Sequence, residues 1–435
     1  MENNVVEAGY PIVFRQNDAR ELGKYIKSRQ SVVLIGAKRV GISNFLRFFI
    51  HHKKIVDTYI DGSKNHLFIP VDLNDLVELD IYPFWTLTLK RIVDSLEKTK
   101  VAQEVKDNIQ SLFLVSIQSQ DSFIAIDSIR RSLVGIVENG VLPSLFFIRF
   151  DRIKDVVTPE FIANLQGLKD ATHHSLCYIF TSFRSLDVLS PSVFAKTSLS
   201  AFFRNIYIKP VKKEDIKIIF KMYLKHSRTE LSLKIKKELF DAVDGYVQYL
   251  QLAMIVLAED SNFLLGQQNL FEHLAKDERI AFASEELWES LNDQEKSVLT
   301  KIVKRESITQ EEIEKNKYLW NTGLVVDASD AVGNTRLFSP VFDYHVKQIE
   351  KKSSNSVNEF TKKENLLFNF LKANNDVICE REQIVKNVWP EVEELGVSDW
   401  AIDRLVARVR HKLKLQDNHY EIKTIKTRGY KLVEA

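Results

Sequence analysis

The sequence predicts a multidomain protein, α/β followed by α+β: a parallel sheet with crossover helices, a helical segment, and two small units in which helices precede a hairpin. Three observations carry that expectation. Five short, continuously apolar runs punctuate the first half and are separated by helix-length amphipathic stretches. The pattern then turns wholly helical from Lys212 to about Ala258. Twice in the remaining chain, periodic helices lead into two short strand-like runs around a polar turn. A chain of 435 residues is also too long for one core, since single cores stop growing near ~250–300 residues.

The five runs are Ser31–Gly36, Leu67–Leu73, Leu145–Asp151, Leu176–Ser182 and Asn205–Ile208. Unbroken apolarity, in place of alternation, suits strands covered on both faces by helices. Tyr82–Thr99 and Ile124–Glu138 are amphipathic and read as crossover helices. Lys213–Lys225 and Leu233–Val243 keep helical spacing, and Leu287–Lys304 opens the next unit. There the helices give way to Gly323–Val326, a polar turn at Ala331–Asn334, and Leu337-Phe338, the outline of a winged helix. The polar stretch Lys351–Ser356 reads as a short flexible linker. The expected divisions are therefore 1–208, 209–283, 284–350, a linker at 351–358, and 359–435.

With 45% hydrophobic and 28% charged residues the composition is that of an ordinary globular protein. No apolar run approaches the roughly 20 residues that span a bilayer. Met1-Glu2-Asn3-Asn4 lacks the charged and then apolar start of a secretory signal, so a cytoplasmic location and no membrane partner are expected. Cys177 and Cys379 show no paired spacing and no His/Cys cluster, which points away from disulfides and metal. His173-His174 has no third ligand nearby and reads as a polar loop. The net charge of +2 says little, but local charge says more. Asp376 to Asp403 holds eight acidic residues against two basic, and Arg404 to Lys431 holds nine basic against two acidic. One basic face on a small domain is what phosphate contact requires.

In that last unit Thr361 can cap a helix with Glu364 three residues on, and Leu366, Leu367, Phe370 and Leu371 supply its apolar stripe. A second helix, Glu380–Val388, ends at Trp389-Pro390. A third, Ser398–Leu413, buries Ile402, Leu405 or Val406, Val409 and Leu413 and presents Arg404, Arg408, His411 and Lys412. Strands Tyr420–Ile425 and Gly429–Val433 follow, joined by Lys426-Thr427-Arg428, with Gly429 permitting a tight turn.

The strings FTKKENLLFNFL, REQIVKNVW, SDWAIDRLVARVRHKL and IKTIKTRGYKL resemble the OmpR/PhoB effector domain throughout its length. The resemblance implies a winged helix on double-stranded DNA, its third helix in the major groove and its wing at the adjacent minor groove or phosphates. By position, Arg404 and Arg408 are the implied base contacts, because arginine pairs bidentately with guanine. Trp400, Arg410 and Lys412 are implied backbone contacts, with His411 on the same face, and Thr424, Lys426, Arg428 and Tyr430 hold phosphate or the minor groove. The chain departs from the family at Leu405 and Ala407, where relatives often carry polar or basic residues, and at Cys379, a poor substitute for a capping serine. The acidic loop Glu391–Glu394 lies where the family can contact RNA polymerase.

Ser31–Ile35 runs into Gly36-Ala37-Lys38-Arg39-Val40-Gly41-Ile42-Ser43, with the amphipathic Asn44–Ile50 behind it. Strand, Gly-rich loop and helix are the setting of a phosphate-binding loop. The nucleotide-site candidates are Gly36, Lys38, Arg39, Gly41, Ser43 and Asn44, with Asp151 at the end of a later strand. Two catalytic positions are altered. Ile42 stands where a lysine should neutralise the transferred phosphate, and Arg152 follows Asp151 where a glutamate should orient water.

With the Phe14-Arg15 lead-in, the string FTSFR ending at Arg184, and Gly245-Tyr246-Val247-Gln248-Tyr249-Leu250, the chain resembles the STAND and archaeal-type AAA-like P-loop NTPases. The family's proline is replaced by Val247. The resemblance implies that Arg184 is an arginine sensor if nucleotide binds; otherwise it is a surface salt bridge. ATP hydrolysis is not expected, so the chain is not expected to be an enzyme. Binding of ATP or ADP without hydrolysis, and loss of nucleotide altogether, both stay open. No strand ends in the acidic cluster and single aspartate of a phosphoacceptor receiver. The expected function is a sequence-specific transcriptional regulator whose NTPase-like module senses a ligand or partner and forms a homo-oligomer. An ATP-dependent, initiator-like switch and a non-enzymatic interaction scaffold are the alternatives.

Overall fold

The computed structural model describes residues 5–97, 99–194, 203–226, 231–259, 269–327, 335–355, 360–389, 399–415, 419–425 and 428–434; at 226, 352–355, 399, 400, 411, 414 and 415 it describes the backbone alone. The chain divides into two compact units, Met1–Lys347 and Gln348–Ala435.

The first unit is built on five parallel strands, β1 (Ser31–Gly36), β2 (Asn65–Asp72), β3 (Val141–Ile148), β4 (Cys177–Ser182) and β5 (Phe203–Ile208), in the order β2-β3-β4-β1-β5. Every residue of β1 and β4 is buried, as continuous apolarity requires of central strands. β5 lies at an edge and is partly exposed. β3 ends at Ile148, short of the expected Asp151. Arg149 turns left-handed (φ +61°) and Phe150–Ile153 forms a 3₁₀ turn, so the apolar Phe150 and Ile153 reflect burial in the core instead of strand continuation.

Six longer helices accompany the sheet: α1 (Gln16–Lys27), α2 (Ile42–His51), α3 (Ile81–Leu96), α4 (Gln103–Ser119), α5 (Ser122–Glu138) and α6 (Pro159–Ala171). The sequence pattern missed α4, because exposed Leu114, Val115 and Ile117 blur its buried stripe of Ile109 and Leu112. Between sheet and helices lies an aromatic core in which Phe84 contacts Trp85 and Phe161, each at 4.9 Å between ring centroids, and Phe150 meets Phe180 at 4.8 Å. Such edge and tilted pairs add about 0.5–1.5 kcal/mol beyond their burial.

Helices α7 (Lys213–His226), α8 (Leu233–Val243), α9 (Val247–Glu259), α10 (Glu278–Glu289) and α11 (Asp293–Lys304) follow. The stretch Leu287–Lys304 covers the end of α10 and all of α11. A capping box restarts the chain: the Asn292 side chain accepts from Glu295 N–H at 2.8 Å, and the Glu295 carboxylate accepts from Asn292 N–H at 3.0 Å. The short antiparallel pair β6 (Val325–Asp327) and β7 (Thr335–Leu337) completes a winged-helix outline, and the Ala331–Asn334 turn lies outside the described residues. The expected flexible linker is corrected: α12 (Pro340–Asn355) runs through Lys351–Asn355, and Ser356 lies outside the described residues. Pro340 pre-sets the first turn, and the Gln, Glu and Lys residues that follow propagate a solvated helix well.

The second unit holds α13 (Lys362–Ala373), α14 (Arg381–Val388) and α15 (Asp399–Leu415) over an antiparallel sheet of β8 (Cys379–Glu380), β9 (Tyr420–Ile425) and β10 (Gly429–Glu434), in the order β8-β10-β9. Strand β8 was not anticipated. It makes Cys379 a buried strand residue rather than a cap, and Glu380 precedes the helix, its N–H donating to Gln383 Oε1 at 3.0 Å. Gly429 sits at φ +149° with a Cβ position only 2.1 Å from the Cys379 carbonyl oxygen, so close strand approach fixes this residue. The Thr361–Glu364 capping box forms as expected. It turns Leu367, Phe368 and Leu371 inward and leaves the expected stripe residue Leu366 39% exposed.

Candidate nucleic-acid interface and phosphate loop

Helix α15 is held by Ile402, Leu405, Val406, Val409 and Leu413, all buried. Leu405 is thus a core residue, and its departure from the family removes no surface contact. That packing turns Asp403 and Ala407 outward and leaves Arg404, Arg408 and Arg410 half-buried on the flanks. Arg408 Nε and Lys412 Nζ lie 3.4 and 2.7 Å from the carboxylate of Glu364, whose side chain is 3% exposed. The same carboxylate accepts from Thr361 N–H at 2.8 Å. Arg410 ties the helix to the wing, donating to the Ile422 carbonyl at 2.7 Å and to Thr424 Oγ1 at 2.8 Å. Thr424 and Arg428 are exposed.

Tyr430 is not on the surface. It is 2% exposed, and its hydroxyl donates to Asp403, which also pairs with Arg381 at 2.6 Å. Burial and the Asp403 carboxylate push the hydroxyl up to about 12. The expected phosphate holder is corrected to a residue that positions α15 against β10. Lys426 and the Glu391–Glu394 loop lie outside the described residues, and the side chains of Trp400 and His411 do too.

In the first unit β1 stops at Gly36 and α2 starts at Ile42. Gly41 is left-handed (φ +106°), and a Cβ there would stand 2.8 Å from Val247 Cγ2, so only glycine fits. The Tyr246 hydroxyl donates to the Lys38 carbonyl. Lys38 Nζ and Arg39 Nε lie 3.0 and 2.5 Å from the two carboxylate oxygens of Glu286 on α10, whose side chain is 5% exposed. Val40 Cγ1 and Ile42 Cδ1 close on Gly36, standing 2.8 and 3.0 Å from the place of its absent Cβ. Asn44 faces the N-terminal lead-in, donating to Glu7 Oε1 at 3.1 Å and Tyr10 Oη at 3.2 Å. Ser43 sits in the first turn of α2, half-buried.

Asp151 lies in the 3₁₀ turn beyond β3. Burial raises its carboxyl above the usual range, against the opposing pull of its own backbone N–H and of Lys38. Arg152 donates to Asn74 Oδ1 at 2.8 Å. Arg184 forms a two-pronged bond to Glu295 of α11 at 2.5 and 2.7 Å, donates to the Ser290 carbonyl, and lies 3.7 Å from the Tyr318 ring centroid. With side chains 11% and 3% exposed this pair is not a surface bridge. As folded, the loop does not fit a nucleoside triphosphate: its lysine position is Ile42, its cations face Glu286, and Val247 presses on Gly41.

Residues 355–432 match the family model described as "Transcriptional regulatory protein, C terminal". The second unit is an OmpR/PhoB-type winged helix. A search of curated proteins found no match. Among solved structures, the chain is similar to the ORC2 protein of Aeropyrum pernix in its ADPNP-ADP complexes (12% identity, 81% of this chain and 99% of that one, TM-score 0.47). It is also similar to a Walker-type ATPase of Pyrococcus abyssi (13% identity, 77% and 95%, TM-score 0.48) and to the ORC1 protein of Aeropyrum pernix in complex with DNA (9% identity, 100% and 91%, TM-score 0.39). At such low identities and scores these likenesses carry nothing about activity. No helix among the described residues is long and apolar enough to cross a membrane.

In this winged helix the structure gathers Arg404, Arg408, Arg410 and Lys412 on α15 beside Thr424 on β9. Sequence reasoning missed the acids that organise these cations. Glu364 was legible as a cap but not as the counter-charge for two helix cations, and nothing in the local pattern marked Asp403 as the partner of Tyr430 and Arg381. In the first unit Glu286 and Glu295 went unread for the same reason: each meets a cation more than 100 residues away in sequence, and no local pattern encodes that distance.

Proposed function

We propose that this chain is a sequence-specific transcriptional regulator in which α15 and the wing of the C-terminal winged helix read double-stranded DNA. The NTPase-like unit, without hydrolysing ATP, senses a ligand or partner and joins copies of the chain into a homo-oligomer. The observation that carries this is the coupling of a cation-bearing helix to a wing: Arg410 bonds both Ile422 and Thr424, so helix and hairpin are joined, and Arg428 of the hairpin is exposed. Such a surface supports base contact from Arg404 and Arg408 in the major groove and phosphate contact from Thr424, Lys426 and Arg428. Self-association would place two or more readers on repeated half-sites, gaining about 10²–10⁴ in apparent affinity without new contacts. RNA polymerase is the proposed partner of the Glu391–Glu394 loop, and the cytoplasm the proposed location.

The test is selection of bound sequences from random DNA by the full chain, with and without ATP. A single enriched motif, repeated at fixed spacing, is expected. Recovery of unenriched DNA would remove the specific-reader assignment, and enrichment of one unrepeated half-site would remove self-association.

A further inference from the structure

The phosphate loop already has an anion. Glu286 presents both carboxylate oxygens to the two cations of the loop, at 3.0 Å from Lys38 Nζ and 2.5 Å from Arg39 Nε. Its side chain is 5% exposed, and a carboxylate is not left so buried without partners of opposite charge. It comes from α10, more than 240 residues along the chain, so the contact is tertiary and specific. Neighbouring elements press the same way. Tyr246 donates to the Lys38 carbonyl and Val247 covers Gly41, both from the start of α9. On the next helix, Glu295 holds Arg184 by two short bonds. Two buried glutamates on consecutive helices therefore fasten α10 and α11 to the carboxyl ends of β1 and β4, where an open α/β sheet would take a ligand.

We propose that Glu286 is a built-in occupant of the phosphate loop, so that α10 and a phosphoanion compete for Lys38 and Arg39. Its two carboxylate oxygens make with these cations the charge-assisted bonds that phosphate oxygens would make with them. Docked α10 is then the resting state, held with no nucleotide. A polyphosphate must displace it to bind, and by the same linkage its binding undocks α10. Apparent affinity for the anion is lowered by the fraction of chains in which Glu286 is docked.

This rests on reading residues 36–43 as a phosphate loop and is independent of the DNA-reading surface. The test uses the full chain and inorganic tripolyphosphate, followed by calorimetry, with wild type, E286Q and the double variant K38A/R39A. Glutamine keeps the size and removes the charge, and the released cations are 28% and 46% exposed, so water can solvate them. The expected result is binding at least about tenfold tighter in E286Q than in wild type, and none in K38A/R39A. Equal affinity in wild type and E286Q would overturn the occupant role and leave the loop standing. Absence of binding in both, or binding that survives K38A/R39A, would overturn the phosphate-loop reading itself. Should E286Q fail to fold, hydrogen exchange of wild type decides: protection of Glu278–Glu289 is expected to fall as tripolyphosphate is added, and unchanged protection at saturating anion would overturn the proposal.

Discussion

Replacing Arg184 with methionine isolates a buried, two-pronged ion pair of the first unit. Methionine fills much of the volume against Tyr318 but removes two charge-assisted bonds of 2.5 and 2.7 Å from Glu295. Among the described residues, the Glu295 side chain keeps one donor, the Asn292 N–H at 3.0 Å. Its carboxylate is 3% exposed and cannot recover water without local opening. Breaking a buried pair by removing one partner costs about 3–5 kcal/mol, because the other charge stays buried. A surface pair would cost at most about 1 kcal/mol. Urea unfolding of R184M and wild type separates the two, with the exposed Lys315–Glu311 pair as internal control through K315A, which should change stability by about 0.5 kcal/mol or less. If R184M also loses less than about 1 kcal/mol, the pair is not the buried clamp described here.

Two further outcomes follow from shifted titrations. The Tyr430 hydroxyl is pushed up to about 12 from its ordinary value near 10, so the folded chain keeps a proton that the unfolded chain releases. That contribution is complete below about pH 10 and lost as pH rises toward 12. Urea midpoints between those limits should therefore fall more steeply for wild type than for Y430F, and parallel curves would contradict a hydroxyl held buried beside Asp403. His66 is pulled down to about 4, first by burial and then by the charge of Arg29, and neither ring nitrogen has a hydrogen-bond partner among the described residues. Its neutral form favours folding above about pH 6.5, an advantage lost as pH falls toward 4. In H66F the acid limb should flatten over that window, and an unchanged limb would place the acid sensitivity elsewhere.

Much of the fold was legible because its signals are local. The limits of β1, of α8 and of β9 follow from apolar runs and helical spacing, and the Thr361 cap from two residues three apart. What failed depended on distant partners. Asp151 was read as a strand end because Phe150 is apolar, yet that apolarity serves packing against Phe180. Tyr430 was assigned to the surface because the family pattern gives position and not depth; its ring packs in the apolar core and its hydroxyl is held by Asp403 and Arg381 from two helices. Glu286 carried no local mark at all, being one of two adjacent glutamates on an amphipathic helix. The sequence showed that the phosphate loop had lost its lysine; only the fold showed which acid its remaining cations face.

The claim that α15 and the wing read DNA is tested most directly by titrating the full chain onto its selected site at several salt concentrations. The expected result is a linear fall of log affinity with log salt, with a slope reduced by about 1 in R428A at every sequence alike. R404A should instead relax preference at one base pair, by about 1–3 kcal/mol. Affinity independent of salt, and unmoved by either substitution, would contradict it.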